Sequence, residues 1–196
     1  MKKLLISSAA LLSVLAGSAA AQTPATTSAS TYMIEPTHTF VTWEARHFGT
    51  STARGRFDKK SGSISLDKVA KTGQAEITIE MNSLSTGVAP FDQHLLSDDF
   101  FAAEKNPQAK FVSTAFKFDG DKVTEVAGNL TLRGKTNPAV LKATNFNCYD
   151  HPRLKREVCG GDFETTITRS QYGISYGLPG IPDNIRLLIQ VEAVKQ

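Results

Sequence analysis

From Thr39 to Leu66 the chain reads TFVTWEARHFGTSTARGRFDKKSGSISL. Val41, Trp43, Ala45 and His47 recur at every second position, with Thr42, Glu44 and Arg46 between them, which is the period of a half-buried strand. After Gly49 the alternation resumes through Ala53, Gly55 and Phe57 and runs on to Ile64 and Leu66, interrupted at Gly62. Gln74 to Glu80 alternates strictly, placing Ala75, Ile77 and Ile79 on one face and Glu76, Thr78 and Glu80 on the other. Further strands are predicted over Ala109 to Phe118, Val123 to Leu132 (carrying Leu130), Ala139 to Cys148, Asp162 to Ser170 and Ile185 to Val194. The last sets Ile185, Leu187, Ile189, Val191 and Ala193 in one row. Asp119-Gly120-Asp121 and Arg133-Gly134-Lys135 supply turns. The pattern therefore predicts an all-β, eight-stranded antiparallel meander, and closure into a barrel is the solution that leaves no unpaired edge.

The period changes between Met81 and Phe101. Pro90 suits the first turn of a short helix in which Phe91, His94 and Leu95 share a face, with Asp92 near its N-terminus. Ser97-Asp98-Asp99-Phe100-Phe101 then reads as a fresh cap and turn bearing two aromatic rings. Gln171 to Asn184, broken by glycines and prolines and carrying two tyrosines, is expected to be a long loop or lid. An eight-stranded barrel either fills with side chains or holds one small ligand, with the mouth as the usual site. The inward rows are rich in Val, Ile, Leu and Ala, and both options remain open on the residues alone.

The N-terminus bears on location. Lys2 and Lys3, an apolar run from Leu4 to about Gly17 and Ser18-Ala19-Ala20-Ala21-Gln22 have the order of a cleavable secretory signal over residues 1–21, a periplasmic address. The run is short for a membrane anchor and broken by serines. Residues 22–31 are polar and rich in Pro, Ser, Thr and Ala, and are expected to form a flexible leader before one domain over 32–196. Of the 22 basic residues, those left after Lys2 and Lys3 are removed number 20, against 19 acidic ones. That near balance argues against a nucleic-acid binder. Cys148 and Cys159 are expected to form a disulfide in an oxidising compartment; a Cys/His metal site using His151 is the alternative, without a second paired-ligand motif behind it.

Several polar residues invite a role. His47 ends the first apolar row, where it either meets a polar headgroup or is a rim histidine satisfied by backbone. Arg54 and Arg56 share a face and, if that face meets the mouth, suit phosphate oxygens; a solvated outer face is the plainer reading. Arg169 follows Ile167 on the inner row and would need a partner such as an Asp or Glu near the mouth. His94 between Asp92 and Asp98 suggests hydrolase or isomerase chemistry, although no nucleophile stands at a recognised spacing and the carboxylates also suit helix capping. Trp43 fits a lipid-contacting wall or a plain core equally well.

Five stretches in order together resemble the YceI-like family: Tyr32 to Val41, Arg46-His47-Phe48-Gly49 with Arg54-Gly55-Arg56-Phe57, Phe91 to Phe101, Asn129 to Thr136 and Arg169 to Ile174. The similarity covers nearly the whole chain after the leader. It implies a periplasmic, lipocalin-like barrel with a hydrophobic tunnel for a polyisoprenoid or other long-chain amphiphile, no catalytic triad, no obligatory metal and no cofactor. On that reading Val41, Trp43, Ala45, Phe57, Ile77 and Ile79 line the tunnel with Leu130, Leu187 and Ile189, and Phe91, Leu95, Phe100 and Phe101 close one end. His47, Arg54, Arg56, His94 and Arg169 form its polar mouth. The Cys148 to Cys159 excursion and the YGLPGIPDN loop depart from the shortest members and are expected to reshape the mouth. The guest's identity, a scaffold role docking a membrane redox partner, and a homodimer are left open.

Overall fold

The computed structural model describes residues 29–196. The expected signal segment and residues 22–28 of the leader lie outside the described residues. Ser30 and Thr31, assigned above to the leader, instead begin a strand.

The strands are β1 (Ser30–Ile34), β2 (Phe40–His47), β3 (Ser51–Phe57), β4 (Lys60–Asp67), β5 (Thr72–Glu80), β6 (Leu84–Ser85), β7 (Gln108–Asp119), β8 (Lys122–Leu132), β9 (Lys135–Asp150), β10 (Glu157–Thr168) and β11 (Asn184–Lys195), with one helix, α1 (Ala89–Leu96). These eleven segments make eight long antiparallel strands, because three are interrupted. β1 and β2 both pair with β11 on one side, and with β4 and β3 respectively on the other. β5 continues into β6 through a short 3-10 turn at Met81–Ser83. Pairing of β1 with β11 closes the barrel.

The interruptions are built, not frayed. At the first, Glu35 accepts hydrogen bonds from the Thr37 hydroxyl at 2.5 Å, from the backbone N–H groups of Thr37 and His38, each at 2.9 Å, and from His38 Nδ1 at 2.6 Å. Burial alone would raise the Glu35 pKa, but these donors outweigh it and hold the carboxyl at about 2. The other two breaks lock together, with Asp58 N–H donating to Ser83 O and Glu80 N–H to Lys59 O. Gly62 is required where β4 crosses β5: its φ is +147° and a Cβ there would lie 2.1 Å from Glu76 O.

The barrel has two unlike ends. At one, the turns β4–β5, β7–β8 and β9–β10 gather; Lys71 pairs with Asp121 and Lys68 with Glu157, which also accepts from the buried Tyr32 hydroxyl. Burial opposes ionisation of Glu157, yet Lys68 and Tyr32 hold its pKa below the ordinary carboxylate value. Burial first, and Glu157 second, push the Tyr32 hydroxyl up. Cys148 and Cys159 stand directly opposite one another in the β9–β10 ladder and are joined by a disulfide. Both strands run past the cysteines, so the bond lies at this end and does not reshape the mouth, contrary to expectation.

At the other end lie the β2–β3 turn, the insert between β6 and β7, and the segment between β10 and β11. Helix α1 has Pro90 in its first turn, and Asp92 accepts from both Thr86 N–H and Thr86 Oγ1. Ser97 ends the helix, its N–H and hydroxyl both donating to His94 O, and opens the expected turn, its Oγ accepting from Asp99 N–H at 3.4 Å and its O from Phe100 and Ala102 N–H. Among the described residues no helix is long and apolar enough to cross a membrane.

Candidate ligand-binding site

The inward rows of this wall enclose two cavities that meet at Val41. The smaller, about 90 Å³, lies toward the disulfide and is lined by Phe111, Phe116, Phe146 and Phe163. The larger, about 650 Å³, lies toward the mouth and falls in the range of small-molecule sites, about 300–1,000 Å³. Side chains thus fill one half of the interior and leave the other hollow.

Size on the inward rows explains the difference. Ala45 and Ala53 face each other across β2 and β3, and Ala109 lines the wall from β7, so small side chains stand where the far half places rings. Trp43, on the same row, lies flat against its cross-strand partner Gly55; a Cβ at that glycine would come within 2.5 Å of the indole. Gly55 therefore leaves the ring room to lie along the wall. The Trp43 indole N–H is buried and has no hydrogen-bond partner among the described residues.

Most residues expected in the tunnel line the larger cavity: Val41, Trp43, Ala45, Phe57 and Ile79 from the first strands, Leu130 and Leu187 from later ones, and Phe91, Leu95, Phe100 and Phe101 from the insert. Ile77 and Ile189 line only the smaller one. Phe101 packs edge-on against Phe57 at 5.6 Å, which seats the insert on the barrel. Phe48, Met81, Ile174, Tyr176 and Ile181 also line the larger cavity, beyond the residues expected there. Four of these five lie in turns or loops, where no periodicity marks an inward face.

The polar residues divide three ways. His47 and His94 stand at the mouth of the larger cavity, as expected. His94 contacts Asp99 at 3.1 Å rather than Asp92 or Asp98, because the chain turns back after Ser97; Asp98 pairs instead with Lys105. The dyads proposed for hydrolysis therefore do not form. The ring of His94 also packs edge-on against Phe100 and Tyr176.

Arg54 and Arg56 are not at the mouth. They alternate with the inward Gly55 and Phe57, so they point outward. Arg54 joins a ladder across four strands, pairing with Glu44 at 2.7 Å, which meets Arg186 at 3.2 Å, which meets Glu164 at 2.6 Å. The Arg54 hydrogen bond, followed by the neighbouring positive charges, holds Glu44 below the ordinary carboxylate pKa despite burial. Arg56 pairs with Asp58 and lies over the Phe40 ring at 4.6 Å.

Arg169 faces the larger cavity but is occupied by its own loop. It donates to the main-chain oxygens of Pro182 (3.0 Å), Ile174 (3.3 Å), Tyr176 (2.9 Å) and Ile181 (2.9 Å). Asp183, the nearest candidate for the expected carboxylate, accepts instead from Ser170 N–H and Oγ. Arg169 thus moulds residues 174–183 over one side of the mouth, and burial lowers its pKa. Arg133 ties that loop to the insert, donating to Gly173 O and to Asp98 O.

A closed antiparallel barrel with a large apolar cavity at one end and a tied rim around it belongs to the class of barrels built to enclose one small guest. A family model described as the YceI-like domain matches residues 32–193. The chain belongs to the YceI-like family. A UPF0312 protein of Pseudomonas putida is 38% identical over 164 residues, 83% of this chain and 84% of that protein. A Campylobacter jejuni YCEI protein superposes with a TM-score of 0.67 at 29% identity, covering 74% of this chain and 86% of the other. A polyisoprenoid binding domain from Saccharophagus degradans shares the fold at a TM-score of 0.59 and 16% identity, covering 84% and 98% of the two chains.

Proposed function

We propose that this protein is an exported, non-catalytic carrier that holds one long-chain amphiphile, of the polyisoprenoid type, with its hydrocarbon in the larger cavity and its polar end at the mouth. The observation that carries the reading is the cavity itself: about 650 Å³ with apolar walls, its polar side chains confined to the mouth end. The Saccharophagus domain, similar in fold and described as polyisoprenoid binding, supports the guest's class. The charged, apolar and small-residue order of the N-terminus supports export to the periplasm.

Each methylene moved from water into such a wall contributes about 0.8 kcal/mol before the cost of immobilising the chain is subtracted. Affinity then comes from the tail. The headgroup orients the guest through Arg46, His47 and His94 at the rim, whose polar atoms meet at most one partner each, whereas Arg169 is held by four carbonyls.

Trp43 is the sole tryptophan and stands in the cavity wall, so its emission reports occupancy. Titration with a fatty chain brominated along its length should quench Trp43 to saturation at one guest per chain, and an unbrominated polyprenol should reverse the quenching. Absence of saturable quenching would contradict the proposal. His94→Ala should leave a solubilised polyprenyl ester unhydrolysed at the same negligible rate as wild type; a wild-type rate abolished by that change would favour an enzyme.

A further inference from the structure

We infer that the mouth of the barrel is a membrane-docking rim, which seats on the surface of an anionic lipid bilayer so that the guest passes between bilayer and cavity without entering water. The inference deepens the carrier reading and rests on it. Its first support is the distribution of exposed apolar side chains. Among the described residues six of the eleven exposed large hydrophobics, Met33, Val69, Val112, Val140, Tyr149 and Leu154, are spread over the outer wall and the opposite end, whereas the other five, Phe48 (66% exposed), Val88 (55%), Tyr176 (49%), Leu178 (38%) and Phe91 (36%), gather at the mouth. These five come from three separate elements: the β2–β3 turn, the start of α1 and the loop over residues 174–183.

The second support is continuity. Phe48, Phe91 and Tyr176 belong both to the exposed rim and to the cavity wall, so apolar surface runs unbroken from the outside to Val41. An opening edged in this way meets hydrocarbon on both sides when it lies in the acyl–headgroup boundary, where amphipathic aromatic rings such as tyrosine are favoured.

The rim is also preformed. Phe48 N–H donates to Gly180 O at 2.9 Å, and a Cβ at Gly180 would fall 2.3 Å from the Phe48 ring, so the β2–β3 turn rests directly on the loop. Arg169 and Arg133 fix the rest of that loop from within. Little ordering remains to oppose docking.

The charges agree with a bilayer of anionic headgroups. Three of the four carboxylates of the insert have local donors: Asp92 takes Thr86, Asp98 takes Lys105 and Asp99 faces His94, which leaves Glu104 as the one exposed carboxylate there without a partner among the described residues. Beside Phe48, Arg46 is exposed and donates only to a main-chain oxygen, that of Gly49, and it enters no carboxylate pair among the described residues. An exposed cation next to an exposed aromatic ring is the composition of an interfacial anchor.

The test is flotation with vesicles of phosphatidylethanolamine and phosphatidylglycerol. Val88→Ser combined with Leu178→Ser alters two rim residues outside the cavity wall, and Val69→Ser alters an exposed residue at the opposite end. Wild type and Val69→Ser should float with the vesicles, and the rim double variant should partition about tenfold less, the loss expected from removing two apolar anchors. Wild type left in the soluble fraction, as a protein partner in place of a bilayer would produce, overturns the inference, and so does a double variant that floats like wild type. Quenching of Trp43 by the brominated chain, measured without vesicles, should be the same in all three proteins. Its loss in wild type would remove the guest, whereas a flotation failure removes only the docking.

Discussion

At the disulfide end of the barrel, Phe111, Phe116, Phe146 and Phe163 line the interior and leave about 90 Å³; at the mouth end, alanines at 45, 53 and 109 with a tryptophan pressed against Gly55 leave about 650 Å³. The same antiparallel ladder and the same alternation of inward and outward positions serve both halves. What differs is the volume of the inward side chain and what covers the end. One end is drawn together by a disulfide and the Tyr32–Glu157–Lys68 cluster, and the other is covered by a helix and a loop that its own arginines hold in place. The far half thus acts as a packed anchor that lets the near half stay hollow, since close packing supplies the contacts that a cavity forgoes.

The sharpest way to separate the halves is to shorten a side chain in each. Phe163→Ala should cost about 4 kcal/mol in denaturant unfolding, because the packed half cannot collapse around the loss. Leu187→Ala, whose side chain already borders empty space, should cost about 2 kcal/mol. Equal costs would dissolve the distinction.

Filling the hollow half is the converse. Ala53→Trp should weaken saturation of the cavity by a brominated chain about a hundredfold, about 3 kcal/mol, with little change in the unfolding midpoint. Undiminished binding would move the guest elsewhere.

Replacing Cys148 and Cys159 with alanine opens a link spanning 11 residues and should lower stability by about 3 kcal/mol in the chain-entropy model. Guest affinity, measured by the same quenching, should not move, because the bond lies at the packed end.

Arg169→Met keeps the bulk but strips four carbonyls of their donor. A cost of about 2 kcal/mol is expected, together with faster hydrogen exchange in residues 174–183 and faster guest release.

The smallest effect is on acid stability. Glu35 and Glu157 have folded pKa values held below the ordinary 4.5, so the stability they confer is complete above that value and is lost as pH falls through the folded ones, to about 2 for Glu35. Glu35→Gln should lower stability at neutral pH by about 1–2 kcal/mol and flatten the acid unfolding curve between about pH 4.5 and 2. Tyr32 has the opposite sign: its raised pKa gives stability that is complete below its ordinary value of 10.0 and lost as pH rises through the folded one.

The eight long strands and most of the larger cavity's wall are legible in the sequence, because a two-residue period in rows such as Val41, Trp43 and Ala45 states which face is inward. The outward direction of Arg54 and Arg56 is legible by the same rule, since they alternate with Gly55 and Phe57 and pair with Glu44 and Thr42 across the ladder. Other features depend on contacts between distant segments. The four carbonyls around Arg169 come from a loop without periodicity. The pairing of His94 with Asp99 follows from how the chain turns after Ser97. The strand breaks at residues 35–39, 58–59 and 81–83 are fixed by hydrogen bonds among one another and to neighbouring strands. The division of the interior into packed and hollow halves arises only when eight rows are summed around one axis.

The most direct test of the hollow half is native mass spectrometry of the protein isolated gently from the cells that make it, followed by organic extraction of whatever it releases. One long-chain isoprenoid or comparable amphiphile per chain, lost in Ala53→Trp and retained in the disulfide-free variant, is the expected result. A bare protein mass that stays bare after incubation with polyprenol, with the cavity intact in the same preparation, would contradict it.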